Sequence, residues 1–282
     1  MHILHKMTVG ILILAMAGSS GWMLSEGKRI LKNQHRYEQL AREARVTNRA
    51  GEGETAREAR EGRADKAGAA DKSRMANETD EEKASEEREE ENRETIDFQL
   101  LKTQNPDTVA WLHIPETNID YPIVQAEDNE TYLYRNFFGE ESREGAVFLD
   151  FETPETLDGR NNVIYGHHMK DGTMFRDIAR FKDPEYFKSH QNFQIYTPDR
   201  TIYLKAVSCY FQKSIPDIRR CRFKDGNSFQ IFVKQMLEPC SFAEIPEEPV
   251  ECLYTFVTCS YEAEDARTVL FALVYNFNWQ KQ

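Results

Sequence analysis

Residues 253–277 read LYTFVTCSYEAEDARTVLFALVYNF. Two apolar, β-rich runs, Leu253–Cys259 and Val269–Phe277, flank a short polar loop, Ser260–Ala266. Short runs rich in Val, Phe, Tyr and Thr, bounded by turn residues, predict strands. Working back along the chain, the same texture recurs at Val109–Ile114, Tyr121–Val124, Ala146–Asp150, Asn162–His167, Phe193–Tyr196 and Ile202–Tyr210. Eight strands allow a sheet to close on itself and remove its edges. The expected fold is therefore mainly β, a closed eight-stranded barrel with added helices. One helix is expected with Met174, Phe175, Ile178 and Phe181 on its apolar face, capped by Thr173 or Asp171. A second is expected over Ser228–Met236, between the sixth and seventh strands, and a short one over Ile96–Lys102, docking Phe98 and Leu101.

The core-forming material is confined to one region. All 17 Phe of the 282-residue chain lie between Phe98 and Phe277, and no aromatic occurs between Gln39 and Asp97. Residues 96–282 are thus one domain of ordinary size. Residues 33–95 carry 13 basic and 18 acidic side chains. Such a stretch cannot bury enough apolar surface to offset its ordering entropy, so it is expected to be a solvated spacer, partly helical or disordered. Within it, Tyr37–Val46 has helical spacing, with Tyr37, Leu40, Ala41 and Ala44 on one face. The spacer composition offers neither groove nor core, so its deletion is expected to leave peptide chemistry intact. Residues 1–32 hold the apolar run Met7–Leu24. It reads as an uncleaved signal anchor and transmembrane segment, as a cleaved signal peptide with an Ala15-Met16-Ala17 site, or as a buried helix. The flanking basic residues do not settle its orientation. The formal charge of −12 argues against a nucleic-acid partner.

Chemistry-bearing residues cluster at strand ends. None of the five cysteines forms a CxxC pair or a zinc-spaced Cys/His cluster, so neither metal nor cofactor is implied. Cys259 ends an apolar run where a loop begins, a place a substrate can reach, although a strand cysteine is ordinarily a small buried hydrophobe. If Cys209, Cys221, Cys240 and Cys252 pair, three connectivities are open. His167 and His168 follow Gly166 at the end of another run, where an imidazole can act as acid or base. Arg267 opens the last strand after Glu262, Glu264 and Asp265, and its plain reading is an ion pair with that acidic loop.

Taken together, these segments resemble a known family. YGHHMKDGTMF at 165–175, TFVTC at 255–259 and DAR at 265–267 resemble the catalytic signatures of sortases. NPDTVAWLHIP at 105–115, then DYPIVQ and DNETYL, resemble class B members specifically. Phe256 stands where the family usually has Leu, and Val257 where class B members often have Ser. The resemblance implies a catalytic trio of His167, Cys259 and Arg267. It implies cleavage of an NPxTN-like C-terminal sorting signal after Thr, through a thioester on Cys259. The partners implied are a surface protein bearing that signal and the amine of a peptidoglycan precursor, with the domain held outside the cell membrane by a single N-terminal span. Matching positions place Asn129 and Leu133 in a peptide groove, with Ile218 in the connection between the sixth and seventh strands. The alternatives are a pilus-type class B enzyme using a lysine amine, an inactive membrane-tethered binding domain, and a hydrolytic cysteine peptidase.

Overall fold

The structure, a computed structural model, describes residues 27–47, 94–213, 217–259 and 266–275. Helix α1 covers 27–44 and leads into a two-stranded ribbon, β1 (Arg45–Thr47) with β2 (Glu94–Ile96). Helix α2 (Phe98–Gln104) follows, its first turn capped by Asp97, which accepts from the Leu100 N–H at 2.9 Å. Eight strands come next: β3 (Thr108–His113), β4 (Asp120–Val124), β5 (Val147–Leu149), β6 (Asn161–Tyr165), β7 (Asn192–Tyr196), β8 (Thr201–Gln212), β9 (Leu253–Cys259) and β10 (Arg267–Val274). They close into a barrel in the order β10-β8-β7-β3-β4-β5-β6-β9, as the sequence led us to expect. Two of its pairings, β4 with β5 and β6 with β9, are parallel; the rest are antiparallel.

Strand alternation divides the apolar residues between two cores. Tyr254 and Phe256 of β9, with Leu270 and Ala272 of β10, fill the barrel. The intervening Leu253, Val269 and Phe271 form a second cluster with Phe229, Phe232 and Val233 of helix α4 (Gly226–Leu237). This helix starts at a reciprocal cap. Asp225 accepts from the Ser228 N–H, and the Ser228 hydroxyl meets the Asp225 N–H. Both faces of β9 are thus covered, which is why its sequence is nearly all apolar. Phe256 packs edge-on to Phe193 and Phe175, with centroids 5.5 and 6.2 Å apart. A larger residue than Leu is accommodated there by aromatic neighbours.

Two expectations need correction. The helix expected around Met174–Phe181 is a 3-10 segment, Phe175–Lys182, followed by α3 (Pro184–Ser189). Its buried Phe175, Ile178 and Phe181 recur every third residue, the 3-10 period. Neither Thr173 nor Asp171 caps it. The preceding residue is Met174 at φ 55, and Asp171 instead accepts from the Thr173 N–H and hydroxyl in the turn before. The second correction concerns α1, which is docked rather than solvated. Tyr37, Leu40, Ala41 and Ala44 are all buried. The Tyr37 hydroxyl accepts from the Phe137 N–H at 3.0 Å, and its ring meets Tyr121 edge-on at 5.2 Å. Arg36 pairs with Glu140 at 2.6 Å and lies 3.5 Å over the Phe138 ring; Asn33 donates to Glu144 at 3.0 Å. Just past the helix, Arg45 binds Asp120 at 2.7 Å. Residues 27–47 therefore belong to the folded body. The remaining spacer, 48–93, and the apolar run Met7–Leu24 lie outside the described residues. Among the described residues no helix is long and apolar enough to cross a membrane.

Candidate active site

Three strands end together. β9 and β10 run antiparallel with Val257 opposite Val269 and Cys259 opposite Arg267. Directly opposed residues share a face of the sheet, so the backbone register puts Cys259 and Arg267 side by side at one end. β6 runs parallel to β9 with Tyr165 level with Val257, and the Gly166 N–H donates to the Val257 carbonyl at 3.2 Å. His167 follows two residues after the last paired position, Tyr165. Gly166 is required here: a Cβ on it would sit 2.6 Å from the Phe175 ring.

The histidine is held from behind. Its Nε2 lies 2.8 Å from the Leu133 carbonyl oxygen. A carbonyl only accepts, so Nε2 carries the hydrogen and Nδ1 is the nitrogen that takes up a proton. Gly145, at φ 59, backs the ring; a Cβ there would lie 2.9 Å from His167 Cδ2. The expected strand Asn162–His167 stops at Tyr165, so simple strand alternation does not set the directions of His167 and His168. Beyond Gly166 the chain folds back, with His168 bridging Met174 and the Phe175 N–H donating to the His167 carbonyl at 2.8 Å.

A cleft of about 250 Å³ opens at this end, lined by Asn129, Leu133, Phe148, Tyr165, Gly166, His167, Arg219, Val257, Thr258 and Arg267. His167, Arg267, Asn129 and Leu133 thus meet in one cavity. Arg267 Nη1 donates to the Ala266 carbonyl at 3.2 Å. The acidic loop that the sequence offered as its partner, 260–265, lies outside the described residues. Asn129 lines the cleft, but its amide also builds the turn, donating to Asp150 at 2.9 Å and accepting from the Phe151 N–H at 3.1 Å. Ile218 does not line the cleft. It packs against the outer cluster of α4, and its neighbour Arg219 reaches the cavity instead.

Asp150, which no sequence motif singles out, is fully buried and bonded to residues that line the cleft. It binds Arg219 Nε at 2.7 Å and the Tyr165 hydroxyl at 2.9 Å. Burial pushes its carboxyl up, but the hydrogen bonds from Arg219, the Glu152 N–H, Tyr165 and Asn129 outweigh that and hold it below the usual carboxylate range. Burial and the Asp150 charge push the Tyr165 phenol up, so it stays a neutral donor. Cys209, Cys221, Cys240 and Cys252 are all free thiols. Burial raises the first, second and fourth of these above their ordinary pKa. Among the described residues no cluster of three or more His, Cys, Asp or Glu is arranged to hold a metal ion.

A family model for the sortase domain matches residues 112–274, more than half the chain and all eight barrel strands save most of β3. The chain belongs to the sortase family. The class B likeness holds in sequence and in fold. Sortase B of Listeria monocytogenes is 42% identical over 93 residues, 33% of this chain and 38% of that protein. Sortase B of Staphylococcus aureus is 27% identical over 138 residues, 49% of this chain and 57% of that protein. The matches thus span less than two thirds of either curated relative. The X-ray structure of Clostridium perfringens sortase B superposes with a TM-score of 0.60 at 29% identity, covering 64% of this chain and all of that one. Val257 of β9 contributes an apolar surface to the cleft wall.

Proposed function

We propose that the chain is a membrane-tethered cysteine transpeptidase that attaches proteins bearing an NPxTN-like sorting signal to a cell-wall amine. The supporting observation is that Cys259 and Arg267 are paired across β9 and β10, and that His167, just past the end of the adjoining β6, lines one cleft with Arg267. In this reading the Cys259 thiolate attacks the carbonyl carbon of the substrate threonine. Arg267, a fixed fork that keeps its charge, steadies the developing oxyanion. His167 gives the Nδ1 proton to the departing amine as the peptide C–N bond breaks, leaving a thioester. The Leu133 carbonyl keeps Nε2–H engaged through both charge states, so the ring can exchange its other proton without turning. An incoming amine gives a proton back to His167, attacks the thioester and releases the thiolate. Leu133 supplies apolar wall to an extended peptide, and the spare donor and acceptor capacity of Asn129 serves its backbone. Residues 7–24 act as the anchor of a catalytic body that starts near residue 27, and 48–93 connect β1 to β2 within that body.

The test is single-turnover cleavage of an NPQTN-like peptide. Cys259→Ala should abolish it. His167→Ala should lower it by roughly 10² to 10⁴, and Arg267→Ala by on the order of 10² to 10³. A fully active Arg267→Ala would reduce the guanidinium to an ion-pair partner of its own loop.

A further inference from the structure

Residues 217–221 belong to the long β8–β9 connection, with Ile218 packed on the α4 cluster and Arg219 reaching the cleft. Two buried polar side chains beneath the cleft hold them. Asn161, fully buried on β6, donates to the Ile218 carbonyl at 2.8 Å and the Arg220 carbonyl at 3.2 Å, and is itself oriented by the Thr255 hydroxyl at 2.7 Å. Asp150, just past the end of β5, accepts from Arg219 Nε at 2.7 Å and Nη2 at 3.4 Å. The same carboxylate takes Asn129 Nδ2, the Tyr165 hydroxyl and the Glu152 N–H. Every contact it makes is with a donor. Three of its partners, Asn129, Tyr165 and Arg219, line the cleft, from three separate segments of the chain.

We propose that Asp150 is a positioning residue for substrate recognition: a buried carboxylate that latches the 217–221 segment against the barrel through Arg219 and so sets the width of the peptide groove. The inference rests on the reading of the cleft as a peptide groove. Three of its partners line the groove, so its influence falls on binding rather than on the reacting atoms. Arg219 remains half-exposed and lines the cleft; its Nη2 also lies 3.8 Å from Glu152, which leaves Nη1 to meet a bound peptide's carbonyl or side-chain oxygens. The fork ties groove wall to barrel at two points, which a lysine ammonium cannot reproduce.

Two variants of the full chain test this, Asp150→Asn and Arg219→Gln. The first puts an amide N–H₂ among donors; the second keeps Asp150 and removes the fork from a surface residue, so it should fold. For each, kcat and KM on an NPQTN-like peptide are measured together with the rate of Cys259 alkylation by iodoacetamide, which needs no groove, and amide hydrogen exchange over 217–221. The expected result is a KM raised about tenfold or more with kcat much less changed, alkylation at the native rate, and exchange over 217–221 at least tenfold faster. The double variant should cost less than the two single variants added together, since they share the Asp150–Arg219 contact. Native exchange over 217–221 in a folded variant overturns the latch, as does a native KM. Alkylation falling in parallel with turnover also overturns it, by moving Asp150 to the reacting groups. If the native chain turns over no sorting peptide, the peptide-groove reading fails, and the exchange measurement alone decides the latch.

Discussion

Gly145→Ala presses on the histidine through contacts whose size is known. Gly145 sits at φ 59, where an L side chain costs about 1–2 kcal/mol. Its added Cβ would lie 2.6 Å from the Tyr132 carbonyl oxygen, 2.9 Å from the Leu133 carbonyl oxygen and 2.9 Å from His167 Cδ2. Two of these three are backbone atoms that cannot swing aside, and ordinary contact begins near 3.4 Å. Relief of such overpacking costs a further 1–3 kcal/mol or about that. A melting temperature lower by about 5–15 °C follows for a domain of this size. The His167 ring and the Leu133 carbonyl that orients it must each give by about 0.5 Å. A misplacement of about 1 Å is worth roughly 10² in rate, so turnover should fall about tenfold beyond any loss of folded protein. Gly139→Ala is the control. Gly139 also has positive φ, at 77, but nothing lies within 4 Å of its Cβ direction. It should share the backbone cost and keep its rate. Thermal melts and single-turnover peptide cleavage at a temperature where all three proteins are folded make the comparison. If Gly145→Ala turns over as fast as Gly139→Ala, the support of His167 by this loop is refuted.

Three further outcomes are expected. A chain beginning at residue 96 loses the burial of Tyr37 and Leu40, worth about 3–6 kcal/mol together, so it should melt well below one beginning at residue 27; equal melting would show that α1 is an ornament. Alkylation mapped by mass spectrometry near neutral pH should mark Cys259 first, because burial holds the thiols of Cys209, Cys221 and Cys252 protonated; faster labelling of any of these contradicts the assignment. Burial raises the Asp120 carboxyl, but hydrogen bonds from His113 and Trp111 and the Arg45 charge overcome this and leave it below its unfolded value of 3.8. Its contribution is therefore present above that value and lost as pH falls through the folded one. Melting curves of native and Asp120→Asn protein should converge as pH is lowered below about 4, and parallel curves would remove Asp120 from the account.

The barrel was legible because each strand is a short apolar run between turn residues, and local pattern suffices to find such runs. Cys259, His167 and Arg267 stood out as candidates because each sits where a run gives way to a loop. The docking of α1 was not, because its partners Phe137, Glu140 and Glu144 lie about a hundred residues away and its apolar face is only four residues wide. Asp150 and Arg219, 69 residues apart, read singly as an ordinary strand-end acid and a surface base. Only closure of the barrel brings them together. Arg219 reaches the cleft, while Ile218 packs on the α4 cluster. No spacing in the sequence signals which of the two neighbours faces the cleft.

The central claim is that Cys259 carries the acyl group between two amines. The full chain is incubated with an NPQTN-like peptide without an amine acceptor, quenched in acid, and digested. The account predicts that the peptide spanning Cys259 gains the mass of the acyl fragment ending in threonine, that hydroxylamine removes it, and that an added amine converts it to an amide product. An unmodified Cys259 during active cleavage, or an acyl group on any other residue, would contradict it.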